Sequence, residues 1–271
     1  MILEWLEAML TPCARDRRDL GYRTELIAIG ARHRRCRTAW AEHLARSRRA
    51  VETAIARTDR RDTAMILGSG RLLDVPLAAL SAAFRHVVLV DALHPLPARI
   101  LARRYANVEL RSDDITGTIA TLHGLKPGDA LPVPKPYPPL RRDGVDLVVS
   151  LNLLSQLGVL PAEWISRRLG PGADDKAEAF SAALARAHLD DLSRCLATVC
   201  LITDVERLYS GPDGTVLERE ASVAPGLTLP TSAEEWMWPI APAPESDPVV
   251  SETRRVVVVY DPGKAAPGAG G

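Results

Sequence analysis

The hydrophobic pattern changes its period once along the chain. From Leu26 the apolar positions Leu26, Ile29, Cys36, Trp40, Leu44, Val51 and Ile55 recur every three to four residues, with arginines between them. That spacing is the signature of amphipathic helix. His33 falls on the same stripe, where a histidine is expected as a core or boundary residue rather than a ligand. Residues 1–62 are therefore expected to form an N-terminal helical cap, broken early at Thr11-Pro12. From residue 63 short apolar runs alternate with helical stretches. Strands are expected at 64–67, 87–91, 107–111, 145–150 and 198–204, and helices at 76–84, 96–105, 115–122 and 176–196. Such alternation implies a parallel sheet covered on both faces.

The alternation stops after residue 204. Residues 205–210 and 215–221 flank Gly211-Pro212-Asp213-Gly214, a strong turn signal, so an antiparallel pair is expected, with a last buried strand at 254–260. The expected fold class is α/β: a doubly wound, mostly parallel seven-stranded sheet with an antiparallel C-terminal hairpin, behind the helical cap. Residues 63–262 would form this Rossmann-like domain, and 263–271 a disordered tail. Between the third and fourth strands, Pro132-Val133-Pro134-Lys135-Pro136-Tyr137-Pro138-Pro139 forbids helix and central strand, and predicts an ordered surface loop.

Composition adds limits. The 271 residues carry equal numbers of acidic and basic side chains, but residues 1–62 hold 14 basic against 9 acidic and the remainder 20 against 25. The arginines at 32–37 and 46–49 could meet RNA phosphates, but the acids around them favour the solvated face of an amphipathic helix. Four scattered cysteines without CxxC spacing indicate neither a zinc site nor a disulfide framework. No metal site and no membrane segment are expected, and a cytoplasmic location is the default.

The chemistry concentrates at strand ends. Ala64-Met65-Ile66-Leu67 runs into the turn Gly68-Ser69-Gly70-Arg71, and the next strand ends at Asp91 followed by Ala92. A glycine turn lets backbone N–H groups face a ligand, and an acid at the second strand tip can hold a ribose hydroxyl pair. Asp113-Asp114-Ile115 follows the third strand, and Ser150-Leu151-Asn152 ends the fourth. His94 and His188 are expected to be structural, His188 on a helix surface. Trp236 and Trp238 either line a pocket or staple a loop to the sheet.

Taken together, these segments resemble the class I S-adenosylmethionine-dependent methyltransferases over roughly residues 64–260, with a divergent glycine motif. The resemblance implies S-adenosylmethionine as cofactor. It places Gly68, Ser69, Gly70 and Arg71 at the methionine end, Asp91 and Ala92 at the ribose, Asp113, Asp114 and Ile115 at the adenine, Ser150 in the cofactor site as the end of the fourth-strand motif, and Leu151, Asn152 and Leu153 near the sulfonium. Asn152 is the candidate for touching the substrate. Leu72 stands where that family has a third glycine, Ile66 replaces a frequent acid, and Asp74 is placed to cap the following helix. The implied activity is methyl transfer to a small-molecule or protein acceptor. A nicotinamide-dependent oxidoreductase, a non-catalytic cofactor-binding or interaction protein, and an RNA methyltransferase gripping phosphate with its basic N-terminal helices are the competing readings.

Overall fold

The structure is a computed structural model and describes residues 2–263. Four helices open the chain: α1 (Ile2–Leu10), α2 (Arg15–Asp19), α3 (Tyr22–Arg35) and α4 (Arg37–Arg57). They lead into β1 (Thr63–Leu67), α5 (Leu77–Ala83), β2 (His86–Asp91), α6 (Leu96–Ala102), β3 (Val108–Ser112), α7 (Ile119–His123) and β4 (Val145–Leu151). Next come α8 (Val159–Leu169), α9 (Asp174–Ser193), β5 (Thr198–Ser210), β6 (Val216–Ala221), β7 (Glu234–Ala241) and β8 (Ser251–Tyr260).

One eight-stranded sheet has the order β3-β2-β1-β4-β5-β8-β7, with β6 paired to β5 off this path. The first five strands pair in parallel; β8 is antiparallel to both β5 and β7. The expected fold class holds, with one strand more than the seven expected. The addition is β7, which its proline at 239 and its flanking Pro-rich sequence disguised as loop. The two segments expected at 198–204 and 205–210 are a single strand, β5, which passes through a bulge between Asp204 and Glu206 and pairs β8 from Cys200 to Ser210. α8 was not anticipated either. The tail at 264–271 lies outside the described residues.

α4 shares its core with the sheet. Its buried stripe runs Trp40, His43, Leu44, Ser47, Ala50, Val51 and Ala54, and the apolar members join Ala64, Ile66, Leu147, Val149, Cys200 and Val258 in one cluster. Burial of this kind stabilises by ~25 cal/mol per Å² of apolar surface, so α4 is held by packing on the strands rather than by its own modest propensity. Four residues of β7 complete the cluster: Trp236, Trp238, Ile240 and Ala241. On the opposite sheet face, Met65, Leu67, Val88, Val148, Val199 and Leu201 pack with residues of α9 such as Ala185 and Leu192.

The proline segment is ordered by specific bonds. Lys135 N–H donates to the Thr116 carbonyl at 3.0 Å, Tyr137 N–H donates to Asp191 at 2.7 Å, and a short 3-10 helix follows at Pro138–Arg141. Among the described residues no helix is long and apolar enough to cross a membrane.

Candidate functional site

The carboxyl ends of β1 to β4 open into one cavity of about 460 Å³. This is the crevice where open α/β sheets bind ligands. Its lower wall includes Gly68, Ser69, Gly70, Arg71, Asp91, Ala92, Asp113, Asp114, Ile115, Leu151 and Asn152. Its roof and far end come from Leu26 and Ile29 of α3, Trp40, His43 and Leu44 of α4, and Trp238, Ile240, Asp204 and Arg254 of the antiparallel strands. Of the residues expected at the cofactor and substrate, all but Ser150 thus line one cavity.

The glycine turn has the backbone that its sequence requires. Gly68 has φ +77°, and a Cβ there would stand 2.6 Å from the Leu151 carbonyl, so β1 and β4 approach too closely for any side chain. Leu72, at the third-glycine place, also adopts the left-handed region with φ +60°. The turn therefore keeps the glycine-type path while carrying a buried leucine that packs in the core. That conformation costs about 1 kcal/mol for a residue with a Cβ.

Asp91 closes β2 over this turn. Its Oδ2 accepts the Gly70 N–H at 2.8 Å, and burial pushes its carboxyl up to about 6 despite backbone donors from Gly70, Ala92 and Leu93. Ser69 Oγ lies 2.9 Å from His94 Nε2, whose other nitrogen faces Ser112. His94 is buried, which lowers its basicity to about 4; it braces the turn from behind.

Asp113 and Asp114 have separate roles in the loop after β3. Asp114 accepts from Thr116 N–H and Thr116 Oγ1 through Oδ1 and from Ile119 N–H through Oδ2, so it shapes the entry to α7. Asp113 Oδ2 accepts the Tyr137 hydroxyl at 2.8 Å, tying the proline segment to the cavity rim.

Four expectations are corrected. Ser150 is not at the cavity: its hydroxyl points to the other sheet face and meets His188 Nε2 at 2.9 Å, because the strand's period of two alternates its faces. His188 is not on a helix surface; it is buried under the sheet by that contact, and burial lowers it to about 4. Asp74 does not cap α5, whose N-terminus has no side-chain cap. It turns inward and accepts from Asn152 Nδ2 at 3.0 Å, with burial pushing its carboxyl up. Arg71 is not free for a ligand carboxylate: its guanidinium is paired with Glu7 of α1 and bonded to the Leu26 carbonyl.

The helical cap supplies cavity residues to which the sequence assigns no role. His43 is 1% exposed. Its Nδ1 accepts the Trp236 Nε1–H at 3.1 Å, and its ring lies flat on Trp238, 3.8 Å apart at 5°. Trp40 meets Trp238 edge-on at 5.0 Å and donates its own Nε1–H to the Ile240 carbonyl. The signal was present, since His43 sits three residues after Trp40 on the buried stripe. Of the two readings for the tryptophans, both apply: Trp236 staples β7 to α4, and Trp238 staples and also lines the cavity. The early arginines are largely engaged within the chain. Arg35 and Arg32 approach Glu245, Arg34 pairs with Glu4, and Arg46 with Glu42. Among the described residues no group of His, Cys, Asp and Glu is arranged to hold a metal.

No family model matches the chain, and no curated protein matches it in sequence. Among solved structures it is similar to the 1,6-didemethyltoxoflavin N1-methyltransferase of Burkholderia thailandensis, with 16% identity over 91% of each chain and a TM-score of 0.39. It is also similar to the N-methyltransferase NodS of Bradyrhizobium japonicum, with 11% identity over 79% of this chain and 85% of that one, TM-score 0.34. A third similar structure is DhpI with SAM and HEP, with 15% identity over 90% of this chain and 99% of that one, TM-score 0.34. These superpositions are shallow, and the chemistry of the cavity is read from its own residues.

Proposed function

We propose that the chain is an S-adenosylmethionine-dependent methyltransferase acting on a small molecule. The observation that carries this reading is the carboxylate of Asp91 at the tip of β2, pinned by Gly70 N–H above a glycine turn and opening on the same cavity as Asp113, Asp114 and Asn152. The residues present fit that cofactor. Asp91 is the acceptor for a ribose hydroxyl pair, and Ile115 with the Asp113-Asp114 loop borders the adenine. Gly68, Ser69 and Gly70 bring backbone rather than side chains to the cavity floor, beside Ala92 and Leu151. Asn152 Oδ1 is buried without a partner among the described residues, an unmet acceptor suited to an ammonium group.

The cofactor supplies an activated methyl group on a sulfonium. The chain's part is to orient the two reactants and exclude water, which is where most catalysis of such a displacement lies. α3 and α4 roof the cavity and do the excluding. The cavity volume falls in the range typical of small-molecule sites, and the pairing of the early arginines with acids within the chain favours a small acceptor over RNA. Thermal melting tests the reading. S-adenosylhomocysteine should raise the midpoint, and NAD and NADP should leave it unchanged. A flat response to S-adenosylhomocysteine and S-adenosylmethionine at millimolar concentration overturns it.

A further inference from the structure

The far end of the cavity, away from Asp91, has a chemistry of its own. Its walls are Trp40, Leu44, Trp238 and Ile240, a largely apolar slot suited to a flat ring. Trp40 spends its N–H on the Ile240 carbonyl and so contributes carbon surface. The polar groups at this end are His43, the Nε1–H of Trp238, which has no partner among the described residues, and the Arg254–Asp204 ion pair.

The tautomer of His43 follows from its partners. Nδ1 accepts a hydrogen bond from Trp236 Nε1–H, and an indole nitrogen can only donate. The imidazole proton of the neutral ring is therefore on Nε2. Stacking on Trp238 fixes the ring plane, and burial keeps the ring neutral, lowering its basicity to about 3. Nε2–H has no acceptor among the described residues. His43 is thus a neutral, oriented donor at a cavity wall and has no lone pair left with which to act as a base.

Charge narrows the ligand further. Over the whole cavity seven carboxylates stand against four guanidiniums; three of those are already paired, Arg71 with Glu7, Arg32 with Glu245 and Arg254 with Asp204 and Glu252, while Arg207 beside Arg254 keeps a buried Nε–H without a partner among the described residues. An anion would meet surplus negative charge. A cation bound at this end would bring donors to a donor. What remains is an uncharged acceptor.

We propose that this end binds the methyl-accepting substrate, and that the substrate is an uncharged aromatic or heteroaromatic ring system whose carbonyl oxygen or ring nitrogen accepts a hydrogen bond from His43 Nε2–H. His43 is then a positioning and specificity residue on the substrate side. This assignment rests on the methyltransferase reading for the word substrate, while the binding itself does not require it.

Calorimetry on the full chain tests both, with and without saturating S-adenosylhomocysteine. The probes are quinolone, quinazolinone and quinoxaline as neutral acceptors, indole as a neutral ring without one, indole carboxylate as an anion and tryptamine as a cation. The neutral acceptors should bind about tenfold more tightly than indole, the worth of one buried hydrogen bond, and more tightly than either charged probe. His43→Leu should reduce quinazolinone to the level of indole, and His43→Gln, which keeps an N–H at that reach, should restore most of the difference. S-adenosylhomocysteine affinity should be the same in all three proteins. As a check independent of folding of the variants, the His43 Nε2–H proton resonance of the nitrogen-labelled wild type should move downfield on adding quinazolinone. Equal quinazolinone binding by wild type and His43→Leu, an unmoved resonance, or preference for a charged probe overturns the proposal. If S-adenosylhomocysteine binds and no neutral acceptor does, the substrate assignment falls alone. If the acceptors bind and S-adenosylhomocysteine does not, the methyltransferase reading falls and the ring site stands.

Discussion

Asp91 Oδ2 accepts the Gly70 N–H at 2.8 Å, and this bond couples the glycine turn after β1 to the tip of β2. It also keeps a partly buried carboxylate at the place where a ligand hydroxyl would be received. Stability and binding pull in opposite directions at this residue.

Replacing that carboxylate separates the two. Asp91→Asn keeps an oxygen for Gly70 N–H while removing the group whose ionisation burial opposes. At pH 7.5 the variant should unfold with a free energy equal to the wild type or up to ~2 kcal/mol higher. Its affinity for S-adenosylhomocysteine should fall at least about tenfold, because hydrogen bonds to a charged acceptor are the stronger ones. Denaturant melts and calorimetry read the two effects. A variant that binds as tightly as the wild type would move the ribose contact elsewhere.

The same group predicts a pH dependence. Burial raises the folded-state value to about 6, above the unfolded value near ~3.9. Between those two values the folded chain holds a proton that the unfolded chain has released. The contribution of Asp91 to stability therefore declines as pH rises through that window and is flat above it. Binding behaves in the opposite sense: S-adenosylhomocysteine affinity should rise with pH up to about 6 and level off beyond. Titrating affinity from pH 5 to pH 8 in wild type and Asp91→Asn checks this, and the variant should lack the slope.

Leu72 carries a conformational cost and a packing gain. Truncation to alanine removes the buried side chain, at ~2–5 kcal/mol, and leaves a Cβ at φ +60°. Truncation to glycine removes the same packing and also relieves the backbone. Leu72→Gly should therefore be more stable than Leu72→Ala by about 1 kcal/mol, the reverse of the usual order for these residues, as read by chemical denaturation.

Tyr137 anchors the proline segment through its hydroxyl on Asp113. Tyr137→Phe should cost about 1 kcal/mol and speed hydrogen exchange at the Lys135 amide, whose bond to Thr116 holds the same segment. Unchanged exchange there would mean that the backbone bonds alone hold the loop.

Glu7 and Arg71 form an ion pair with both side chains about nine-tenths buried. Glu7→Ala leaves the guanidinium unpaired and should cost of order 3 kcal/mol. α1 should then become the first site of limited proteolysis, because the Glu7 contact ties it to the glycine turn.

Much of this architecture is legible in the residues. The change from a period of three to four to short β-branched runs separates the helical region from the sheet, and Leu67, Asp91 and Asn152 mark where three strands deliver their ends. β7 is hidden because Glu234–Ala241 is flanked by prolines and itself contains Pro239, and a strand whose partners on β8, such as Val258 for Glu234 and Glu252 for Ala241, lie well beyond hairpin reach has no local signature. Ser150 was misplaced by treating the whole strand end as facing the cavity, whereas alternate side chains face opposite sides.

The sequence by itself determined the periods, the turn chemistry and the acidic strand tips, because these depend on neighbours a few residues apart. Only the tertiary structure decided which long-range partners they find. Arg71 meets Glu7 across 64 positions, Asp74 meets Asn152 across 78, and His43 meets Trp236 across 193. The first pair follows from α1 docking beside the glycine turn, the second from β4 lying next to β1, and the third from α4 packing on β7; shape complementarity of that kind leaves no periodic trace along the chain.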